Sequence, residues 1–271
     1  MNYGELLDSS GQVGSNRVRD ASLPRRRFLR TTGIVVGGGV GLFSLAGSVG
    51  GSLGGAAVTS MAGTAGPGDA CAVPSPARAL DRLLRGNARW VAGELRHPHQ
   101  SVERREAQAA GQCPLATVVT CIDSRVSPEV LFDAGIGDLF VVRTAAHVLD
   151  DIATGSVEYG PHELGTPLIL VLGHGRCGAV TAAVEAIRDR SKLPGHLQTI
   201  VEAVRPAYES ACRPEPTRDC VDRTIHAHTR RTVGELRRDP LLASSVEKGR
   251  LRIVGGYYAL DTGRVSLLRG Q

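Results

Sequence analysis

Three observations predict an α/β fold built as a doubly wound, mainly parallel sheet with flanking helices. The runs Leu115–Thr120 and Leu168–Leu172 are β-branched and Leu-rich without polar alternation, as expected of strands buried on both faces. Stretches of helical period separate such runs, and alternating strands and helices favour parallel pairing. Hydrophobic residues make up 42% of the 271 residues but aromatics only 4%, which allows a sizeable, aliphatic core. That length suits one domain of about 200 residues plus an extra segment.

The elements follow in order. Residues 66–76 contain Pro67, Pro74 and Pro76 and read as a linker. From Ala77 to Gly93, the positions Leu80, Leu83, Leu84, Trp90 and Val91 recur near helical period, with Gly93 as the stop. A polar stretch leads to a short helix ending at Gly111, and Leu115–Cys121 is the first strand. Ser127-Pro128-Glu129 reads as an N-cap with Pro at the first helical position. Asp138–Arg143 forms the second strand, Ile152–Leu164 a helix stopped by Gly165, and Leu168–Gly173 the third strand, followed by a helix through Arg188. Amphipathic helices at 196–211 and 220–238 precede a strand at Leu251–Tyr258. Asp261-Thr262-Gly263 then turns the chain into Arg264–Leu268, making a hairpin. The expected strand order is 2-1-3-4, with the last segment as a C-terminal edge strand.

Two short stretches carry chemistry. Cys121-Ile-Asp-Ser-Arg125 ends the first strand, and His174-Gly-Arg-Cys177 follows the third. In this order the two strands are neighbours at the point where the winding reverses, and ligands bind beyond the carboxyl ends of strands there. Two thiolates and an imidazole suit Zn²⁺, which takes sulfur and nitrogen in tetrahedral geometry. Asp123 could add a fourth, displaceable ligand, and Arg125 could hold that carboxylate. Three firm ligands and one negotiable position make a catalytic rather than a structural zinc site.

The formal charge of +5 is unevenly placed. Residues 1–65 hold six Arg and three acidic residues, leaving 26 bases against 24 acids in the rest. That balance, with no basic-aromatic patch, gives no reason to propose nucleic acid as a partner. Arg25-Arg26-Arg27-Phe28-Leu29-Arg30 fits the twin-arginine export pattern and precedes a Gly-rich, uncharged run to about Ala65. The reading is a signal peptide over 1–65, delivered to the twin-arginine translocation machinery. The protein would be exported across the bacterial cytoplasmic membrane to the periplasm, the cell wall or the medium. An uncleaved membrane anchor is the alternative, since the run exceeds the roughly 20 residues of a span. Cys71, Cys113, Cys212 and Cys220 are left outside the metal set. The polar, Pro-rich loop from Cys212 to Cys220 would tolerate a disulfide after export, or hold two unrelated thiols.

At these residues the chain resembles the beta-class carbonic anhydrases, from about Leu80 to Leu268. The shared stretches are Gly86-Asn87-Ala88-Arg89-Trp90, Gly111-Gln112-Cys113-Pro114, Cys121–Arg125, Gly137–Arg143 and the run from Gly173. The resemblance implies a catalytic domain over 77–271 that hydrates CO₂ reversibly to bicarbonate and a proton. It implies zinc on Cys121, His174 and Cys177, with a hydroxide on that zinc as the nucleophile, oriented by an Asp123–Arg125 dyad. Gln112 and the backbone N–H of Gly178 would assist at the substrate. The resemblance also implies a homodimer, often paired into a homotetramer. Asp123 is expected to bind zinc directly at lower pH, with Arg125 releasing it.

Departures from the family pattern raise further expectations. His147 replaces a residue that is often Asn, placing an imidazole near the crevice as a proton relay or as a group satisfied by backbone. Arg143 and Tyr258 match two members of a bicarbonate pocket found in some relatives, but the Trp of that pocket is Val118 here. Arg143 would then serve an interface. His97, His99, His226 and His228 read as surface groups. Two other functions are alternatives: a carbonyl sulfide or carbon disulfide hydrolase on the same scaffold, whose motif would be the same and which access and pocket shape would distinguish, and a non-enzymatic zinc-binding protein. Asp123, Arg125 and Gln112 would have no task in the latter.

Overall fold

The computed structural model describes residues 73–212 and 219–268. The leader at 1–65, its cleavage or anchoring, and Cys71 lie outside the described residues. No described helix is long and apolar enough to cross a membrane.

Five strands form one sheet in the order β2-β1-β3-β4-β5. They are β1 (Ala116–Cys121), β2 (Leu139–Thr144), β3 (Leu168–His174), β4 (Arg252–Tyr258) and β5 (Val265–Leu267). The first four pair in parallel, and β5 closes an antiparallel hairpin on β4. Both the expected order and the C-terminal edge strand are observed. β1 and β3 are buried at every position, as their mainly aliphatic and β-branched sequences favour.

Alternate residues of these strands serve two different cores. Val118, Leu170, Leu172 and Val254 face Leu80 and Leu83 of α1 (Pro76–Ala92) and Leu131 of α3 (Pro128–Leu131). Val119, Ile169, Val171 and Ile253 face Val157 of α4 (Asp151–Leu164), Val233 and Leu236 of α7 (Cys220–Arg238) and Leu242 of α8 (Pro240–Glu247). A third cluster joins α5 (Gly178–Arg188), α6 (Leu197–Cys212) and the start of α7 around Val180, Val184, Val204 and Ile225. The short α2 (Val102–Gln108) has no buried residue.

Local signals explain most boundaries. α1 starts one residue before the expected position, at Pro76, because Ser75 accepts from the N–H of Arg78 and Pro fills the first helical position. Gly93 ends it at φ 72. The helix α8 has no counterpart among the expected elements, although Asp239 caps it and Pro240 opens it. Asp138 does not begin β2. Its buried carboxylate accepts from the backbone N–H of Gly135 at 2.9 Å, pairs with Arg82 at 3.2 Å and lies 2.8 Å from His99 Nδ1. Asn87 stitches α1 to the far end of the chain, donating to the Gly263 carbonyl and accepting from the Val265 N–H, both at 2.8 Å.

Cys212 and Cys220 are joined by a disulfide, which links the end of α6 to the start of α7 across residues 213–218. Cys121 and Cys177 are free thiols.

Candidate metal centre

The site lies at the reversal point of the winding. β1 has β2 on one side and β3 on the other, so the carboxyl ends of β1 and β3 stand side by side. Cys121 is the last residue of β1 and His174 the last of β3. Cys177 is the N-cap of α5, reached through a turn in which Arg176 takes φ 51. That left-handed residue costs on the order of 1 kcal/mol and turns Cys177 back toward His174.

The ligand atoms of Cys121, His174 and Cys177 all lie within 4.8 Å of one another, and all three residues are buried. The two sulfurs are 3.9 Å apart. His174 places Nδ1 3.0 Å from the carbonyl oxygen of Gly175, a contact only an N–H can satisfy, so its proton sits there. The other nitrogen, Nε2, is buried with no hydrogen-bond partner. A buried lone pair beside two thiols is costly unless a cation accepts it, and the donor set of two sulfurs and one imidazole nitrogen fits zinc.

The thiols are poised to lose protons unequally. Cys177 and, after it, His174 and nearby backbone N–H groups pull Cys121 down to about 4 against the opposing cost of burial. Cys177 is pushed up, first by its contact with the Cys121 thiolate and then by burial. The backbone N–H groups of Ala179 and Val180, at the start of α5, act in the opposite direction. Two thiolates this close repel each other, and a cation between the sulfurs would offset that repulsion.

Asp123 stands two residues past the end of β1, turned toward Arg125. Its Oδ1 accepts from the backbone N–H of Arg125 at 3.0 Å and from Nε at 2.9 Å, and its Oδ2 accepts from Nη2 at 2.7 Å. This fork holds the carboxyl down to about 2, the Arg125 hydrogen bond being the largest cause. Asp123 is therefore ionised and engaged with Arg125 rather than grouped with the three ligand residues. Arg125 also donates to the Arg176 carbonyl at 3.3 Å, tying the two motif loops together.

The remaining expected residues separate. Gly178 is the first residue of α5, exposed, with open space where a side chain would stand. Gln112 is exposed in the coil before β1, and among the described residues it makes no hydrogen bond to the ligand set. Arg143 donates to the carbonyl oxygens of Cys121 and Asp123, a role that the motifs do not reveal. Val118 is fully buried in the core, where a Trp-lined pocket would need room.

His147 is only 1% exposed, and its ring centroid lies 4.7 Å from that of His228. Burial is the main cause that holds it well below 6.5, with the neighbouring His228 and His174 acting in the same direction, so it is neutral and walled from solvent. It does not offer a relay to bulk water. His228 is buried too, correcting its expected surface placement, and His99 pairs with Asp138. The helical spacing of Ile225, His228, Thr229, Thr232, Val233 and Leu236 carries that signal, since all six share the buried face of α7.

Known proteins share both the sequence and the fold. The family model described as carbonic anhydrase matches residues 116–265. Carbonic anhydrase 2 of Mycobacterium tuberculosis is 45% identical over 194 residues, covering 71% of this chain and 93% of that protein. The carbonic anhydrase of Mycolicibacterium smegmatis is 43% identical over the same shares. Among solved structures, the fold is similar to the β-carbonic anhydrase CafA of Aspergillus fumigatus, with TM-score 0.57 and 23% identity over 70% of this chain and 90% of that one. It is also similar to a tetrameric β-carbonic anhydrase of Sordaria macrospora, with TM-score 0.56 and 22% identity over 71% and 98%.

Proposed function

The chain belongs to the β-class carbonic anhydrases, and from that membership we propose that Cys121, His174 and Cys177 hold a catalytic zinc ion at which CO₂ is hydrated reversibly to bicarbonate and a proton. The observation that carries the zinc reading is the buried, unpartnered Nε2 of His174 grouped with two thiol sulfurs. When bound, zinc supplies the Lewis acidity that brings the pKa of a water it takes up toward about 7.

The chain's own residues supply orientation. Asp123 accepts a hydrogen bond from the attacking oxygen and directs its lone pair at CO₂. Held at a pKa of about 2, it stays a carboxylate and does not keep the proton at neutral pH. Arg125 fixes the carboxylate in place through three hydrogen bonds. The N–H of Gly178, at the positive end of α5, stabilises charge developing on the substrate oxygen. Gln112 is assigned a second donor role there, on family resemblance.

We assign the working form to a homodimer, or dimers paired as a tetramer. β2 is a sheet edge, and its Leu-Phe-Val-Val sequence is only half-buried. Phe140, Val142, Ile152 and Tyr159 line a groove of about 440 Å³ beside it, and Ile152 is 82% exposed. A second copy of the chain would cover this face. We also propose that residues 1–65 act as a twin-arginine leader, which would place the working protein outside the cytoplasmic membrane after folding and metal loading.

Zinc content by mass spectrometry and CO₂ hydration by stopped flow test the assignment. One zinc per chain with hydration activity is the expected result. Zinc without hydration, but with release of sulfide from carbonyl sulfide or carbon disulfide, would transfer the chain to that chemistry.

A further inference from the structure

We infer that Tyr257 is a positioning residue for the metal centre: anchored by Asp222, it fixes the Gly175 peptide whose carbonyl oxygen sets the tautomer and direction of His174. The inference rests on His174 being a zinc ligand.

Gly175 is restrained from two sides. Its N–H donates to the Tyr258 carbonyl at 3.0 Å, extending the β3–β4 ladder by one rung. Its carbonyl accepts from His174 Nδ1. A Cβ built on Gly175 would lie 2.7 Å from the Tyr257 hydroxyl oxygen, so the phenol abuts this residue directly. Gly175 is thus held by the sheet at its nitrogen and by the phenol at its Cα. These two restraints leave the following carbonyl little freedom to swing away from His174.

The phenol is itself held. Tyr257 donates to Asp222 Oδ1 at 3.0 Å, and the His226 ring packs against it with centroids 4.5 Å apart. Asp222 lies in the first turn of α7, two residues after Cys220, whose disulfide to Cys212 pins the start of that helix to the end of α6. Burial and the Asp222 carboxylate push Tyr257 up to about 12, so it remains a donor across the working pH range. The chain of contact runs from the α6–α7 bridge through Asp222, Tyr257 and Gly175 to the ligand imidazole. Groups that orient a ligating His are known to govern metal retention, and a partner one contact further out should govern it more weakly.

The test uses the zinc-loaded protein and the variants Tyr257→Phe, Asp222→Ala, Asp222→Asn and Tyr257→Phe/Asp222→Ala. Zinc release is followed with a chromophoric chelator, and the His174 Nδ1–H resonance by NMR with and without zinc. Tyr257→Phe and Asp222→Ala should each speed release roughly 3- to 10-fold, below the roughly 10–100-fold of direct partners. The double variant should release no faster than either single one, because both break the same link. Asp222→Asn keeps an acceptor oxygen and should stay within about twofold of the native rate. In both damaging variants the His174 signal should broaden through faster exchange. Native release rates with an unchanged His174 signal would overturn the inference, as would single effects that multiply in the double variant. A native protein that takes up no zinc would overturn the zinc reading instead, and the His174 signal would still decide the positioning role.

Discussion

Arg143, on β2, donates from Nη2 to the backbone carbonyl oxygen of Asp123 at 2.7 Å. Its Nε reaches the Cys121 carbonyl at 3.0 Å, so one guanidinium clamps the backbone on both sides of Ile122. The clamp fixes the candidate ligand Cys121 and the Asp123 carboxylate with respect to each other. Arg143→Ala should lower stability by about 1–2 kcal/mol, because two carbonyls lose charged donors at a partly solvated place. A fall in melting temperature of roughly 2–8 °C would follow for a domain of this size. Hydration activity should fall with it, and a Lys at the same position should recover little, since it cannot span both oxygens.

Replacing Cys121 or Cys177 by Ser, or His174 by Ala, should reduce bound zinc from one per chain to a small fraction. Each change removes one of three donors that are grouped within 4.8 Å. Elemental analysis of the purified variants checks this, and hydration activity should vanish in parallel.

The dyad has a defined pH signature. Asp123 sits at about 2 because of Arg125, so the stabilising pair is complete above the ordinary carboxylate range and is lost as pH falls through about 2. Arg125→Ala should move the Asp123 titration up toward 3.8. NMR titration of the Asp123 carboxyl reads this movement directly. The same variant should lose roughly 10-fold or more in hydration turnover, since the carboxylate is no longer held in one orientation.

Acid should weaken the fold well above that range. Burial holds His228 at about 4 and His147 well below 6.5, so the unfolded chain binds protons that the folded chain refuses. Stability contributed this way is complete above about 6.5 and declines as pH falls toward 4. The loss should be on the order of a few kcal/mol, since each tenfold difference in proton affinity between the folded and unfolded chains is worth about 1.4 kcal/mol. Thermal melts between neutral pH and the His228 value should show it, and His228→Gln should flatten the profile. His147→Gln should leave buffer-saturated turnover without a proton-transfer defect.

Ile152→Glu should dissociate the proposed dimer. The side chain is 82% exposed beside the half-buried β2 edge, and a carboxylate there would be desolvated by a second copy. Light scattering on the native protein should give at least a dimer, and on the variant a monomer. A native monomer at micromolar concentration would remove the proposed interface.

What the sequence determined by itself was the sheet and its ends. Runs of aliphatic and β-branched residues without charges mark β1 and β3 because parallel strands are buried on both faces, and that demand is written residue by residue. Once those strands are neighbours, the spacing of Cys121, His174 and Cys177 makes one site, with no side-chain geometry required. Asp239 and Pro240 mark α8 just as locally, as an N-cap and a first helical residue, but the helix is short and its apolar period weak. Tertiary structure decided the partners. Whether Asp123 faces a metal or Arg125, whether His228 meets water or His147, and which carbonyls Arg143 reaches depend on elements far apart in the chain. A local pattern fixes which face of an element is buried, but the groups that meet a polar side chain there are chosen only when the layers pack.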